Sequence, residues 1–330
     1  VTVSSPPGAA DDHIADLLET YRKIPHQLPG KGQRPIPQFD GEMVGAGGRS
    51  VYLRSTHDVS AAAEREAVFV HGLGGSARNW TDLMYLLGPV ARGFAPDLPG
   101  FGQSPMPDDR DYSLEAHART VIRLIEDQCR GPVDLFGNSM GGAISVRIAA
   151  LRPDLVRTLV LVSPALPDLR PRLSVAPLLA MATPGFRTVA AKMMGIDQPG
   201  RAVDRMLNLC YYDPTIVHSD RREELVNEAA WRLSRQNHAE PLRLSAKGLA
   251  EGFVPGRDSY LWSLASKVDC QTLAVFGTHD KLVDSRLANR TAQTIVDSRV
   301  VTLPRTGHVA QLEQPKKMAQ MVLSMWAEQK

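Results

Sequence analysis

The chain has 330 residues, 43% hydrophobic and 22% charged, with a formal net charge of +2. This composition fits a globular protein with one large core, with or without an insertion, and gives no electrostatic reason to bind nucleic acid or an anionic membrane surface. No apolar run reaches the length that spans a bilayer, so no stable membrane insertion is expected, and Cys129, Cys210 and Cys270 are too scattered for a zinc site or a disulfide framework.

In chain order, residues 1–42 form an amino-terminal arm. Its opening, Val1–Gly8, has neither the basic nor the apolar stretch of a signal peptide, and with the unpaired cysteines this leads to an expectation of a cytoplasmic protein. Asp11–Arg22 carries Ile14, Leu17, Leu18 and Tyr21 at helical spacing, and a Pro- and Gly-rich stretch follows over 25–37. Strand signals begin near Met43 and continue through Val51–Leu53, Ala67–Val70 and Gly93–Asp97. An amphipathic helix spans Leu114–Gln128. A short apolar run from Val133 then ends in a G-x-S-x-G around Ser139 and passes into a helix pattern over Ala143–Ala150, and Thr158–Ser163 is another buried strand. Apolar strands alternating with helices predict an α/β fold with a parallel sheet covered on both faces.

The alternation stops at Ser163 and resumes at Leu273–Phe276, 110 residues later, far more than one crossover helix needs. The segment 166–266, rich in Pro, Met, Leu and Arg, is expected to be a helical cap over the carboxyl edge of the sheet. Residues 43–165 and 267–330 then make the core. They close with a helix near Ser285–Ile295, a strand at Arg299–Leu303 and a helix from Pro315.

The chemistry centres on Gly137-Asn138-Ser139-Met140-Gly141, a G-x-S-x-G between an apolar strand and a helix. Glycines two residues either side of Ser139 relieve the crowding of so tight a turn. A serine hydroxyl needs a base, and the base needs an orienting acid. Asp280 follows the strand at Leu273 and His308 follows the strand at Arg299, which places both on loops at strand carboxyl ends. His71 is the rival base, but it ends a strand at the Gly-rich loop His71-Gly72-Leu73-Gly74-Gly75, where an imidazole buttresses a turn. Negative charge developing on a substrate oxygen calls for two backbone donors. The N–H of Met140 is one; the other is assigned to Leu73, with Gly72 the alternative.

The serine elbow, the His-Gly loop, Asp97–Ser104, Gly277–Asp280 and Gly307-His308 together resemble the α/β-hydrolase family over 45–165 and 267–330. The resemblance implies an eight-stranded, mostly parallel sheet, a triad of Ser139, Asp280 and His308, and no cofactor. A serine at 139 speaks against the relatives that use a carboxylate nucleophile. The elbow and the loop Gly307–Glu313 are similar to those of meta-cleavage-product C–C hydrolases. Those enzymes carry Trp where this chain has Val309, and a Gly-Gly-Pro-Gly loop where it has Leu73-Gly74-Gly75.

The leading expectation is a serine hydrolase of small-molecule carboxylic esters or thioesters with an apolar acyl part. Asn138, Leu178, Met181 and Val309 are the candidate substrate contacts, the cap supplying adaptable apolar side chains. C–C hydrolysis of dienoates and a binding module with vestigial activity are the alternatives.

Overall fold

The computed structural model describes residues 28–30, 32–56, 63, 65–168, 198–235, 237 and 239–329. The helix expected over Asp11–Arg22 and the proposed contacts Leu178 and Met181 lie outside the described residues.

Eight strands form one sheet: β1 (Gly41–Ala46), β2 (Arg49–Ser55), β3 (Arg65–Val70), β4 (Ala91–Pro96), β5 (Val133–Asn138), β6 (Val156–Val162), β7 (Gln271–Gly277) and β8 (Ser298–Leu303). Their order is β1-β2-β4-β3-β5-β6-β7-β8. β2 runs antiparallel to both neighbours, and every pairing from β4 to β8 is parallel. The central strands β5, β6 and β7 are buried along nearly their whole length because both faces of the sheet are covered there, whereas β1 at the edge is largely exposed. Val68 and Val70 of β3, with Leu135 of β5 and Leu159 of β6, point into one core; Ala67, Phe69, Phe136 and Val160 point into the other. That period of two is the strand pleat.

On the first face lie α2 (Leu114–Gln128), α3 (Met140–Leu151) and α8 (Leu287–Thr294), together with the short α7 (Leu261–Ala265). On the second lie α1 (Thr81–Leu87), the short α9 (Ala310–Glu313) and α10 (Pro315–Ala327). α7 packs against α3, and Trp262 Nε1 donates to the Pro167 carbonyl at 2.8 Å. The core therefore resumes at α7 rather than at 267. The burial of Leu261, Trp262, Leu264 and Ala265 explains why: a fully apolar helical turn belongs to the sheet's covering layer.

Between β6 and α7 the described part of the insertion folds as α4 (Pro199–Cys210), α5 (Ser219–Ser234) and α6 (Glu240–Glu251). Val203, Leu207 and Tyr211 of the α4 end pack on Ala229 of α5 and on Val309 of the core. The other side of α5 is a polar stripe at three- and four-residue spacing, one face of a helix. Arg221 donates to the Ile36 carbonyl at 2.7 Å, Glu224 accepts from Gln38 at 2.9 Å, Glu228 from Ser76 at 3.3 Å, and Arg232 donates to the Gly74 carbonyl at 3.2 Å. Among the described residues no helix is long and apolar enough to cross a membrane.

Candidate active site

β5 ends at Asn138 and α3 begins at Met140, so Ser139 alone makes the turn. It does so with φ 55° and ψ −118°, a conformation that non-glycine residues rarely hold. Backbone bonds fix it there: Ser139 N donates to the Val162 carbonyl at 3.0 Å, and its own carbonyl accepts from Ala143 and Ala165 at 3.1 and 2.9 Å. The flanking glycines are steric necessities. A Cβ at 137 would lie 2.4 Å from the Gly141 carbonyl oxygen, and one at 141 would lie 2.1 Å from the Val70 carbonyl oxygen. Ser139 itself is half-buried, at the amino end of α3, where the first N–H groups of the helix, Met140's among them, have no intrahelical partner.

β5, β7 and β8 are parallel, so the loops after them share one edge. Asp280 is on the β7 loop and His308 on the β8 loop, both buried, with His308 Nδ1 and Asp280 Oδ2 2.8 Å apart. The other carboxylate oxygen accepts from the N–H groups of Leu282 and Val283 at 2.7 and 2.9 Å. Burial pushes the Asp280 carboxyl up, but His308 and those two N–H groups more than offset it and hold it below its ordinary value. An ionised carboxylate only accepts, so Nδ1 carries the imidazole proton and Nε2 keeps a lone pair. This pair is joined to the elbow through Asn138, whose amide donates to the Val162 carbonyl at 3.0 Å and to the His308 carbonyl at 3.1 Å.

His71 is arranged differently. Its Nε2 accepts from Leu98 N–H at 2.9 Å, so Nδ1 bears the proton and donates to the Gly72 carbonyl at 2.8 Å. Complete burial pushes its pKa down to about 4. Both ring nitrogens are occupied by backbone, so the ring is a brace. The Gly72 carbonyl also accepts from Gly75 N–H at 3.0 Å. In a trans peptide the N–H points opposite the carbonyl, so the Leu73 N–H is turned away from the His71 ring. The loop also lies close to the nucleophile: a Cβ at Gly72 would be 3.1 Å from Ser139 Cβ. Beneath it, Asp97 accepts from Ala77 and Gln103 N–H at 2.7 and 2.8 Å, a purely structural use of that side chain.

Two of the expected substrate contacts have protein partners of their own. Both amide hydrogens of Asn138 are engaged with protein carbonyls, which makes it a brace between elbow and histidine loop. Val309 is buried in the apolar cluster under α4 and α5. Sequence reasoning also passed over Glu313, although it closes the quoted Gly307–Glu313 stretch. Its carboxylate accepts from Gly307 N–H at 2.7 Å and from Tyr212 N–H at 2.8 Å. The one signal was its place just before the Gln314-Pro315 helix start, where an acidic side chain ordinarily faces solvent. Among the described residues no group of three or more His, Cys, Asp or Glu side chains is placed to hold a metal ion.

A strained serine elbow and a buried Asp–His pair on one edge of an eight-stranded, mostly parallel sheet are the marks of an α/β hydrolase. The model of the alpha/beta hydrolase family matches residues 67–321, and the chain belongs to that family. It is 28% identical over 291 residues to 2-hydroxy-6-oxo-2,4-heptadienoate hydrolase of Pseudomonas putida, covering 86% of this chain and 94% of that protein. It is 38% identical over 153 residues to an esterase of Mycobacterium tuberculosis, covering 46% of this chain and 48% of that one. Among solved structures, a membrane phospholipase A superposes with TM-score 0.73 at 19% identity, covering 96% of this chain and 91% of that one. A meta-cleavage product hydrolase of Pseudomonas fluorescens superposes with TM-score 0.67 at 19% identity, covering 88% and 98%. At that identity the two structures speak to the fold.

Proposed function

We propose that the protein is a serine hydrolase of carboxylic esters or thioesters with an apolar acyl part, acting through an acyl-enzyme on Ser139. The observation that carries the reading is the 2.8 Å bond between His308 Nδ1 and Asp280, which leaves Nε2 free to act as a base on the edge where Ser139 is presented. His308 takes the Ser139 proton as the hydroxyl oxygen attacks the substrate carbonyl. The N–H groups of Leu73 and Met140 hold the oxyanion. The imidazolium then protonates the leaving alkoxide or thiolate. In the second half His308 removes a proton from water, the hydroxide adds to the acyl carbon, and Ser139 leaves with the proton returned. No cofactor takes part in these steps.

The choice of an apolar acyl group rests on the polar groups near the Gly-rich loop. Arg78 faces Glu228 at 3.5 Å and Arg232 donates to the Gly74 carbonyl, so both cations already have protein partners. A second reading, hydrolysis of a dienoate carbon–carbon bond with the same three side chains, is favoured by the near full-length similarity to the heptadienoate hydrolase. The test is a set of p-nitrophenyl esters from acetate to decanoate, run beside 2-hydroxy-6-oxo-2,4-heptadienoate. The ester reading expects saturable ester turnover that Ser139→Ala removes. Dienoate turnover with inert esters selects the second reading, and binding without turnover of either selects a binding module.

A further inference from the structure

The carboxyl end of α4 is built onto the loops that carry Asp280 and His308. His308 N–H donates to the Cys210 carbonyl at 2.7 Å, Lys281 Nζ to the Asn208 carbonyl at 2.5 Å, and the Tyr212 ring lies 4.5 Å from the His279 ring, centroid to centroid. Glu313 closes this junction from below, one carboxylate oxygen on Gly307 of the histidine loop and the other on Tyr212 of the cap. The junction has no slack. A Cβ at Gly307 would fall 2.4 Å from the Cys210 carbonyl oxygen, 2.8 Å from Tyr212 N and 2.9 Å from Glu313 Oε1.

We propose that Glu313 is a positioning residue that makes the cap and the histidine loop one unit, so that seating of α4 sets the alignment of His308. The inference rests on the reading of His308 as the base. The residue type supports it. A carboxylate here lies near Asp280, an electrostatic cost that an amide would avoid. Only a carboxylate, however, offers two accepting oxygens to two N–H groups that face it from different elements; a glutamine would set its NH2 group against one of those donors.

The test compares Glu313→Gln with wild type in p-nitrophenyl butyrate turnover, in the rate of Ser139 labelling by a small fluorophosphonate, and in thermal unfolding. A misplaced base costs rate more than binding. The expected result is a fall in kcat of roughly tenfold or more, KM within about threefold, and labelling slowed in parallel, in a protein that still unfolds cooperatively. A contribution to packing alone would leave kcat and the labelling rate of the folded variant unmoved, and that result overturns the proposal. If Glu313→Gln does not fold, Tyr212→Pro removes one of the two donors and keeps the carboxylate. Tyr211 is extended (φ −99°, ψ 147°), as a residue before proline must be. Tyr212→Pro is compared with Tyr212→Ala, so that loss of the ring is common to both. A further tenfold loss of kcat in the proline variant supports the proposal, and equal kcat values overturn it. Failure of the serine reading itself is separable: wild type would then neither label at Ser139 nor turn over the ester.

Discussion

A carboxylate has no proton to give, so the contact between Asp280 and His308 Nδ1 decides which imidazole nitrogen is left to act as a base. Replacing His308 with Ala is expected to lower kcat by about 10³-fold or more, and Asp280→Asn to lower it strongly by spoiling the tautomer. His71→Ala gives the contrast. Its ring holds a turn, so the loss should appear in stability and in loop order, with a smaller fall in kcat per folded molecule than His308→Ala. Parallel kcat measurements on the three variants, corrected for folded fraction, check this. A His71 variant that is folded yet as inactive as His308→Ala would reverse the assignment. The placement of Ser139, Asp280 and His308 just beyond β5, β7 and β8 was legible in the sequence because each follows an apolar strand, and strand ends can be counted. The bracing of Asn138, the burial of Val309 and the double role of Glu313 were not. Each depends on which carbonyl, N–H or side chain lies opposite, and that is set by loops brought together from 170 residues apart in the case of Asn138 and His308.

At the level of elements, the apolar strands announced themselves and their ends fell close to expectation, with Leu114–Gln128 recovered as α2. The core's return was placed too late because α7 is a helix of five residues, too short to show a period. α5 was harder to read, because it docks through Arg221, Glu224, Glu228 and Arg232, a face that in sequence looks like a solvated one. The crowding at Gly307 predicts that Gly307→Ala forces the α4 end away from the histidine loop. Overpacking of this kind costs about 1–3 kcal/mol, to be read from urea unfolding, and kcat should fall with it. A fully stable, fully active Gly307→Ala variant would contradict the close contact. α6 gives a second prediction. Leu242 reaches the Gly-rich loop, its Cδ1 3.4 Å from where a Cβ on Gly74 would stand. Leu242→Trp should therefore move ester preference toward shorter acyl chains by about tenfold or more, since each methylene in an apolar pocket carries about 1–3 kcal/mol. Equal loss across the ester series would place the selecting surface away from α6.

For the molecule as a whole, two buried histidines couple stability to pH. Burial pushes His117 down to about 3, with its Nε2 2.9 Å from Ser245 Oγ, and His71 down to about 4. The unfolded chain takes up these protons below about pH 6.5 and the folded one does not, so each group lowers stability as pH falls from 6.5 toward its folded value. The slope is about 1.4 kcal/mol per pH unit for each histidine. Buried carboxyls that burial raises, Asp97 and Glu228 among them, act in the opposite direction, so the histidine effect is isolated by difference. Between pH 6.5 and 5 the stability gap between wild type and His117→Gln should shift by about 2 kcal/mol in favour of the variant; an unchanged gap would mean that His117 takes up its proton in the folded state. The central claim, that the edge of the sheet presents one activated serine, is tested most directly by stoichiometric fluorophosphonate labelling with peptide mapping. Trypsin cuts after Arg130 and Arg147, releasing Ser139 and Ser145 on one peptide that fragmentation resolves. One adduct per chain, on Ser139, lost in Ser139→Ala and strongly slowed in His308→Ala, is the predicted result. An adduct on Ser145 or another residue, or a Ser139→Ala variant that keeps its turnover, would contradict the account.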